Sequence, residues 1–571
     1  VAPPGNTPLP PLPGAGGVVH NAGAQVNPWA AARAAEGAGP GGPVPGGFRP
    51  NVPAAPGAVP PPGVGASGVP GAPAMFGGAM APPAPPIRPR LVDRAPTWVL
   101  VASAVVVLAL IAGAVFVITH RGDKYPSHWD PRVEGLTKWV EHERGLDFEH
   151  PVKVNFLSPK EYTARSTSDM GTDQTPKDAL ADQVAELRAL GFVTGDVDLS
   201  AAGDALADSG TLAYYDPSVE EVFVRGTSMT PGVRVTLAHE LTHVLQDQHF
   251  DLERLESLED GRGSMLRALA EGDATLVEEE YKADDKVFSK ADAKAYDEET
   301  KRDSDAGEEA MKDVPPILQT MFAAPYILGP TLVRVLVVDA IGTKAAEGPL
   351  GPGADKYTEI DRVLDDPPTE EVLFDPITYG SDAAKAKTVA QAAPEGSKTL
   401  DEGEFGPTAW YLLLATRVDA KVALEATDGW GGDHFVTYKK DDKVCVDATI
   451  EGDSDADVLQ MGSALSSWVG KSPEGTATAK TEGGKVAFHA CDPGKDAKAA
   501  GSDASTDLLN LPVTRSQIFA DVWATTGDRK VAACFAGKLV ERATAAQLND
   551  EQYFNSGDGV TLAQRTISEC R

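Results

Sequence analysis

From Trp98 to Ile118 the chain runs for 21 residues without a charged side chain. As a helix this stretch would span about 31 Å, close to the hydrocarbon thickness of a bilayer. A buried helix of a soluble globule seldom avoids every charge for so long, so residues 97–119 are expected to form one transmembrane helix. Before it, residues 1–90 hold 23 of the 45 prolines and are otherwise mostly Gly and Ala, with neither a period-2 nor a period-3.6 apolar pattern. A segment with so little to bury cannot offset the entropy of ordering itself, so 1–94 is expected to be a disordered, partly polyproline tail. Arg88, Arg90 and Arg94 lie before the span, with Arg121 and Lys124 after it. That balance leans toward a cytoplasmic tail and an extracytoplasmic remainder at the cell membrane.

Charge divides at the same place. Residues 1–120 carry five Arg against Glu36 and Asp93, a sum of +3, so the formal −33 of the whole leaves −36 for residues 121–571. Such a surface repels nucleic acid and anionic lipid, and no nucleic-acid partner is expected. All four cysteines, Cys445, Cys491, Cys534 and Cys570, lie far beyond the span. An even number confined to one region suggests two disulfides in an oxidising compartment, and the spacings fit no zinc ribbon. Of the three pairings, Cys445 with Cys491 and Cys534 with Cys570 each close a short local unit and are the expected ones. The acidic stretch 278–313 lacks an Asp-x-Asp-x-Asp-Gly loop, which favours a solvated helix or mobile insert over a calcium site.

Local patterning predicts an α+β fold. Val133, Leu136 and Val140 have helical spacing, "HPVKVNFLS" reads as a strand, a helix runs near 178–190, and "EEVFVRG" (220–226) alternates like a second strand. A mainly helical domain with a small sheet is expected over 125–384. Beyond it, "HFVTYKKDDKVCVDATI" reads as a hairpin entered by a tight turn at Gly429, Gly431 and Gly432. "KVAFHAC" reads as a strand, "DADVLQMGSALSSWV" as a helix, and a helical pair spans Cys534 to Cys570. Residues 385–571 are therefore expected to form a disulfide-stabilised α/β accessory domain.

The chemistry concentrates in "TLAHELTHVLQDQH" (236–249). Thr230 and Pro231 supply an N-cap and a first-turn proline for a helix through it. At 100° per residue His239 and His243 project about 40° apart, while Leu237, Leu241 and Val244 gather on the opposite side. Imidazoles at i and i+4 reach one zinc ion from a single helix face. Glu240 between them is placed to act as general base toward a water whose pKa the ion lowers toward about 7, and then to deliver the proton to a leaving amine. Two residues compete for the third ligand position. His249, six after His243, has the metzincin spacing but lacks the turn-forming glycine, with Gln246 in its place. Glu271 sits on the edge of the apolar face of a second helix, "MLRALAEGDATLVEEE", where Gly272 would let that helix approach the first closely.

The string "AHELTHVLQDQHFDL" followed by "ALAEGDA" resembles bacterial neutral zinc metallopeptidases of the gluzincin type, many of them actinobacterial. The likeness continues through "APYILGPTLVRVL" and "DDPPTEEVLFDPITY", and covers roughly residues 125–380. The resemblance implies a zincin-like domain with zinc on His239, His243 and Glu271 and with Glu240 as base. It puts Tyr326 near the cleft as a candidate oxyanion donor, and it implies that "EEVFVRG" is a sheet edge holding extended substrate; His434, in "GWGGDHF" beyond the likeness, is a weaker candidate donor. The Asp expected four residues after the ligand Glu is Thr275 here, with Asp273 two after, so the carboxylate that would orient a histidine is open. The expected function is a membrane-anchored, zinc-dependent metalloendopeptidase acting on a peptide or protein substrate of the cell envelope. Its rival is a catalytically silent zinc-containing binding or scaffold protein.

Overall fold

Helix and strand boundaries follow local chemistry throughout the residues that the computed structural model describes, which are 125–571 without 170–176, 209–211, 257, 259–260, 347–349, 382–384, 499–503, 549 and 551–552. The expected tail (1–94) and membrane span (97–119) lie outside the described residues. The fold is α+β, with helices around two small sheets.

The first part runs through helix α1 (Glu134–Arg144), strand β1 (Lys153–Leu157), helix α2 (Lys177–Ala189) and strands β2 (Ala213–Asp216) and β3 (Glu221–Arg225). Helices α3 (Pro231–Phe250), α4 (Arg262–Ala283), α5 (Lys290–Met311) and α6 (Pro316–Ile341) follow. As the sequence suggests, the Thr230 hydroxyl caps α3 by accepting from the Val233 N–H, with Pro231 in the first turn. Leu237, Leu241 and Val244 are fully buried, each contributing roughly 1.5–3 kcal/mol. The acidic stretch divides between the end of α4 and α5, which Ser289 and Asp292 start with a reciprocal capping box.

The small sheet has the order β1-β3-β2, with β3 parallel to β1 and antiparallel to β2. This corrects the reading of "EEVFVRG" as a sheet edge: both sides of β3 are hydrogen-bonded to neighbours, and β2 is the edge strand beside α3. Strand propensity marks β3 correctly but carries no information on its place in the order.

Backbone contact governs the packing of α4 on α6. A Cβ on Gly329 would lie 2.0 Å from the Ala268 carbonyl oxygen, and one on Gly272 would lie 2.4 Å from the Gly329 carbonyl oxygen. Gly272 does serve close approach, but toward α6 and not toward the histidine helix α3. Among the described residues α6 is the one helix long and apolar enough to cross a membrane. Its Leu332, Val335 and Leu336 are completely covered by other parts of the protein.

Beyond position 385 come strand β4 (Lys398–Gly403), helix α8 (Gly406–Ala415), strands β5 (Trp430–Lys440) and β6 (Lys443–Gly452), helix α9 (Asp455–Val469), and strands β7 (Ala477–Glu482) and β8 (Lys485–Cys491). Ahead of them lies the short helix α7 (Glu370–Phe374), and after them α10 (Asn510–Thr526), α11 (Arg529–Arg542) and α12 (Gly557–Ser568). The second sheet is antiparallel, in the order β4-β5-β6-β8-β7. The β5–β6 turn falls at Asp441 and Asp442, both with positive φ, whereas Gly431 and Gly432 sit inside β5 at a register shift, so the expected tight turn there is a bulge. Both expected disulfides are present, Cys445–Cys491 across β6 and β8 and Cys534–Cys570 from α11 to the second residue after α12.

Two apolar cores organise these elements. One joins Val140, Leu241, Leu269 and Leu336 to Phe519, Phe535 and Ile567 of the C-terminal helices; the other gathers Leu190, Trp410, Leu465, Trp468 and Phe488 around the second sheet. Residues from both sides of position 385 contribute to each core.

Two predictions follow from this packing. Because only backbone can yield at the α4–α6 contact, Gly329→Ala is expected to cost about 3 kcal/mol or more, whereas Gly537→Ala, in open space on α11, should be neutral or stabilising; thermal unfolding of the two variants measures the contrast. Glu371 on α7 is 1 % exposed, and neither carboxylate oxygen has a hydrogen-bond partner among the described residues. Burial, reinforced by Asp453, Asp375 and Asp428, pushes its pKa from 4.5 up to about 9. The folded protein thus holds a proton that the unfolded chain releases, and it loses stability as pH rises from about 4.5 through about 9. Glu371→Gln should therefore raise the melting temperature over wild type by more near pH ~8 than near pH ~5.

Candidate metal centre

On α3, one turn separates His239 and His243, whose rings meet edge to face with centroids 4.7 Å apart. Across from them α4 presents Glu271. Its Oε2 lies 3.1 Å from His239 Nε2 and 3.3 Å from His243 Nε2. One ligand atom from each of the three residues falls within 4.8 Å of the others. Tetrahedral coordination with bonds of about 2.0–2.1 Å sets ligand atoms about 3.3 Å apart, so the donor spacing fits a small divalent cation.

Electrostatics point the same way. Glu240, Glu271 and Glu278 face two imidazoles and one cation, Lys282, which Glu278 shares with Glu279, so with neutral imidazoles the cluster keeps negative charge that a divalent cation neutralises. In the absence of a cation the imidazoles take protons instead. Burial opposes this, yet the Glu271 and Glu278 carboxylates raise His239 well above its ordinary pKa, and Glu271 raises His243. Burial works against ionised Glu271 as well, but the two imidazoles overcome it and hold the carboxyl below the usual range.

The residues behind the donors fix which nitrogens face inward. Gln246, one turn after His243, donates through Nε2 to the Ala270 carbonyl at 3.0 Å and to Asp273 Oδ2 at 2.8 Å. Its Oε1 must then face His243 Nδ1, 2.8 Å away, and accept the proton there. That leaves the lone pair of His243 on Nε2, the atom nearest Glu271. Asp273 is held in turn by Arg144 Nε at 3.0 Å, and Arg144 also pairs with Asp361. On the other side His239 Nδ1 faces Glu278 Oε2 at 3.5 Å, and Lys282 anchors Glu278 at 3.2 Å. The carboxylate that faces a histidine from behind is thus Glu278, seven residues after Glu271 and two turns along the same face of α4. Thr275 does not fill that role, and Asp273 serves Gln246.

Glu240 is buried, with Oε2 accepting the Tyr215 N–H of edge strand β2 at 2.8 Å. Burial raises its pKa, partly offset by His243 and His239, which suits a carboxylate that must take a proton near neutral pH. Tyr326 on α6 reaches the same cluster: burial and the nearby carboxylates Glu271 and Glu240 push its hydroxyl well above the ordinary pKa. The other two candidates lie elsewhere. His249 Nε2 meets the Asp147 carbonyl at 2.9 Å and belongs to neither of the two metal-capable groups among the described residues, and His434 lies in β5 of the second sheet.

The sequence reading missed Glu278, Gln246, Tyr215 and the Arg144–Asp273 pair. Two of them left a signal in helical spacing, since Gln246 is three after His243 and Glu278 seven after Glu271; the others depend on packing between distant segments. No family model matches the chain, and no curated protein or solved structure does either.

If Glu278 orients His239, Glu278→Gln should weaken divalent-metal affinity about 10–100-fold with the fold intact, as read by competition with a chromophoric chelator and by circular dichroism. An unchanged affinity would show that the 3.5 Å contact is incidental.

Proposed function

We propose that the chain is a zinc-dependent metallopeptidase, anchored to a membrane through residues 97–119, with the tail on the cytoplasmic side and the site on the other. The observation that carries this reading is the meeting of His239, His243 and Glu271 with a fourth side chain, the carboxylate of Glu240, buried beside them but outside the three-donor group. A structural zinc site uses four protein ligands and needs no base; three donors plus a separate carboxylate suit chemistry.

When bound, the cation supplies Lewis acidity toward a carbonyl and toward water. The chain's own groups do the rest. Glu240, its carboxylate steadied by the Tyr215 N–H, accepts the proton of the attacking water as the C–O bond forms, and returns it to the amine nitrogen as the C–N bond breaks. Tyr326 keeps its proton at any working pH and donates a hydrogen bond to the carbonyl oxygen as charge develops there. Extended substrate lies along β2, the one of the two edge strands that packs beside α3, since β3 has no free side.

Glu240→Gln in the full chain tests the assignment. Zinc content should persist while hydrolysis of a mixed peptide library falls by about 10²-fold or more. Equal turnover in the variant would remove Glu240 from the mechanism, and a fully zinc-loaded wild type without turnover would favour a silent scaffold. Tyr326→Phe should lower kcat with little change in KM, because its contact matters in the transition state.

A further inference from the structure

A second group of metal-capable side chains lies far along the chain from the first, on the second sheet. Cys445 of β6 and Cys491 of β8 are directly paired across the two strands, and the next pair on the same sheet face is Asp447 with His489. The four side chains therefore form two adjacent rows on one face. Asp447 Oδ1 lies 2.6 Å from His489 Nδ1, and His489 Nε2 lies 3.3 Å from Cys491 Sγ. The carboxylate accepts a hydrogen bond from Nδ1–H, which leaves the Nε2 lone pair aimed at the sulfurs. The same arrangement, carboxylate behind imidazole and imidazole toward the donors, recurs at Glu278 and His239. Tyr438, paired with Cys445, places its hydroxyl 3.5 Å from Asp447 Oδ1 and packs in one cluster with the two cysteines.

We propose that Cys445, Cys491 and His489 are a metal site for a thiophilic divalent cation of the zinc class, one that exists only when the disulfide is reduced. The Sγ atoms and the imidazole nitrogen fall within 4.8 Å of one another, and they are the mixed sulfur and nitrogen donors that zinc prefers. The cysteines are almost covered, while the His489 side chain is 40 % exposed and gives solvent and small ions a way in. Oxidation and metal binding exclude each other, because the same two sulfurs serve both. Reduction requires a dithiol reductant. Its thiolate attacks one sulfur of the S–S bond, the other leaves as a thiolate beside His489, and the reductant's second thiol resolves the mixed disulfide. Two electrons pass from the dithiol, which becomes a disulfide, to the cysteine pair, and uptake of the cation then displaces the two thiol protons. Re-oxidation by any disulfide reagent reverses the transfer and releases the ion. The site thus couples zinc holding to thiol redox state, independently of the centre on α3 and α4.

Cobalt(II) reports the difference between the two centres, since only this one offers thiolate ligands. The full chain is reduced with a dithiol, freed of it under inert gas, and titrated with cobalt(II) beside the oxidised chain. The expected result is a near-ultraviolet thiolate-to-cobalt band that reaches its plateau by two equivalents, one for each centre, in the reduced chain and is absent from the oxidised one. His489→Ala should weaken that uptake about tenfold or more, while a chain carrying Cys534→Ser and Cys570→Ser should keep it. The proposal is overturned if the reduced chain develops no such band, if the band is unaltered by His489→Ala, or if it vanishes with the Cys534 and Cys570 substitutions while circular dichroism shows that chain folded. Should the double variant not fold, comparison of wild type with His489→Ala decides alone.

Discussion

Burying His239, His243, Glu240, Glu271 and Glu278 between two helices is the constraint around which the surrounding structure is arranged. An isolated charge in that setting costs several kcal/mol, and each is therefore given a partner. Glu278 receives Lys282, Glu240 receives a backbone N–H from β2, and Gln246 ties His243 to Asp273 and through it to Arg144. Arg144 is itself fully buried and stays charged, because Asp273 and Asp361 offset the desolvation that would lower its pKa. What the pairing leaves over is negative charge at the point where the two Nε2 atoms and Glu271 meet.

Helix packing fixes where that point lies. The backbone contact at Gly272 and Gly329 presses α4 onto α6, and Glu271 is the residue immediately before Gly272. The same contact brings Tyr326, one turn before Gly329, to the carboxylate cluster. The C-terminal helices α10 to α12 share a core with α3, α4 and α6, so the position of the site depends on both halves of the described chain.

How much of this was legible in the sequence follows from the range of the interactions involved. His239, Glu240 and His243 could be read because a single helix face sets their geometry, and Glu271 because it sits at the border of an apolar face on its own helix. The disulfide pairings were readable because each closes a local unit. The order of the first sheet was not, since β3 pairs with β1 across four intervening elements and nothing in "EEVFVRG" records a parallel neighbour. Gly431 and Gly432 suggested a turn because glycine permits both turns and bulges, and only pairing with β6 distinguishes them. Arg144, joined to Asp273 from the far end of the first helix, carries no local signature at all.

The central claim is that two imidazoles from one helix and a carboxylate from the next grip a single divalent ion. Anomalous diffraction at the zinc absorption edge, from crystals of the oxidised full chain grown with zinc, tests it most directly. The account predicts one strong peak bonded to His239 Nε2, His243 Nε2 and the Glu271 carboxylate, with Glu240 adjacent and not coordinating. An absence of density among these three side chains, or an ion that recruits His249 in place of Glu271, would contradict it.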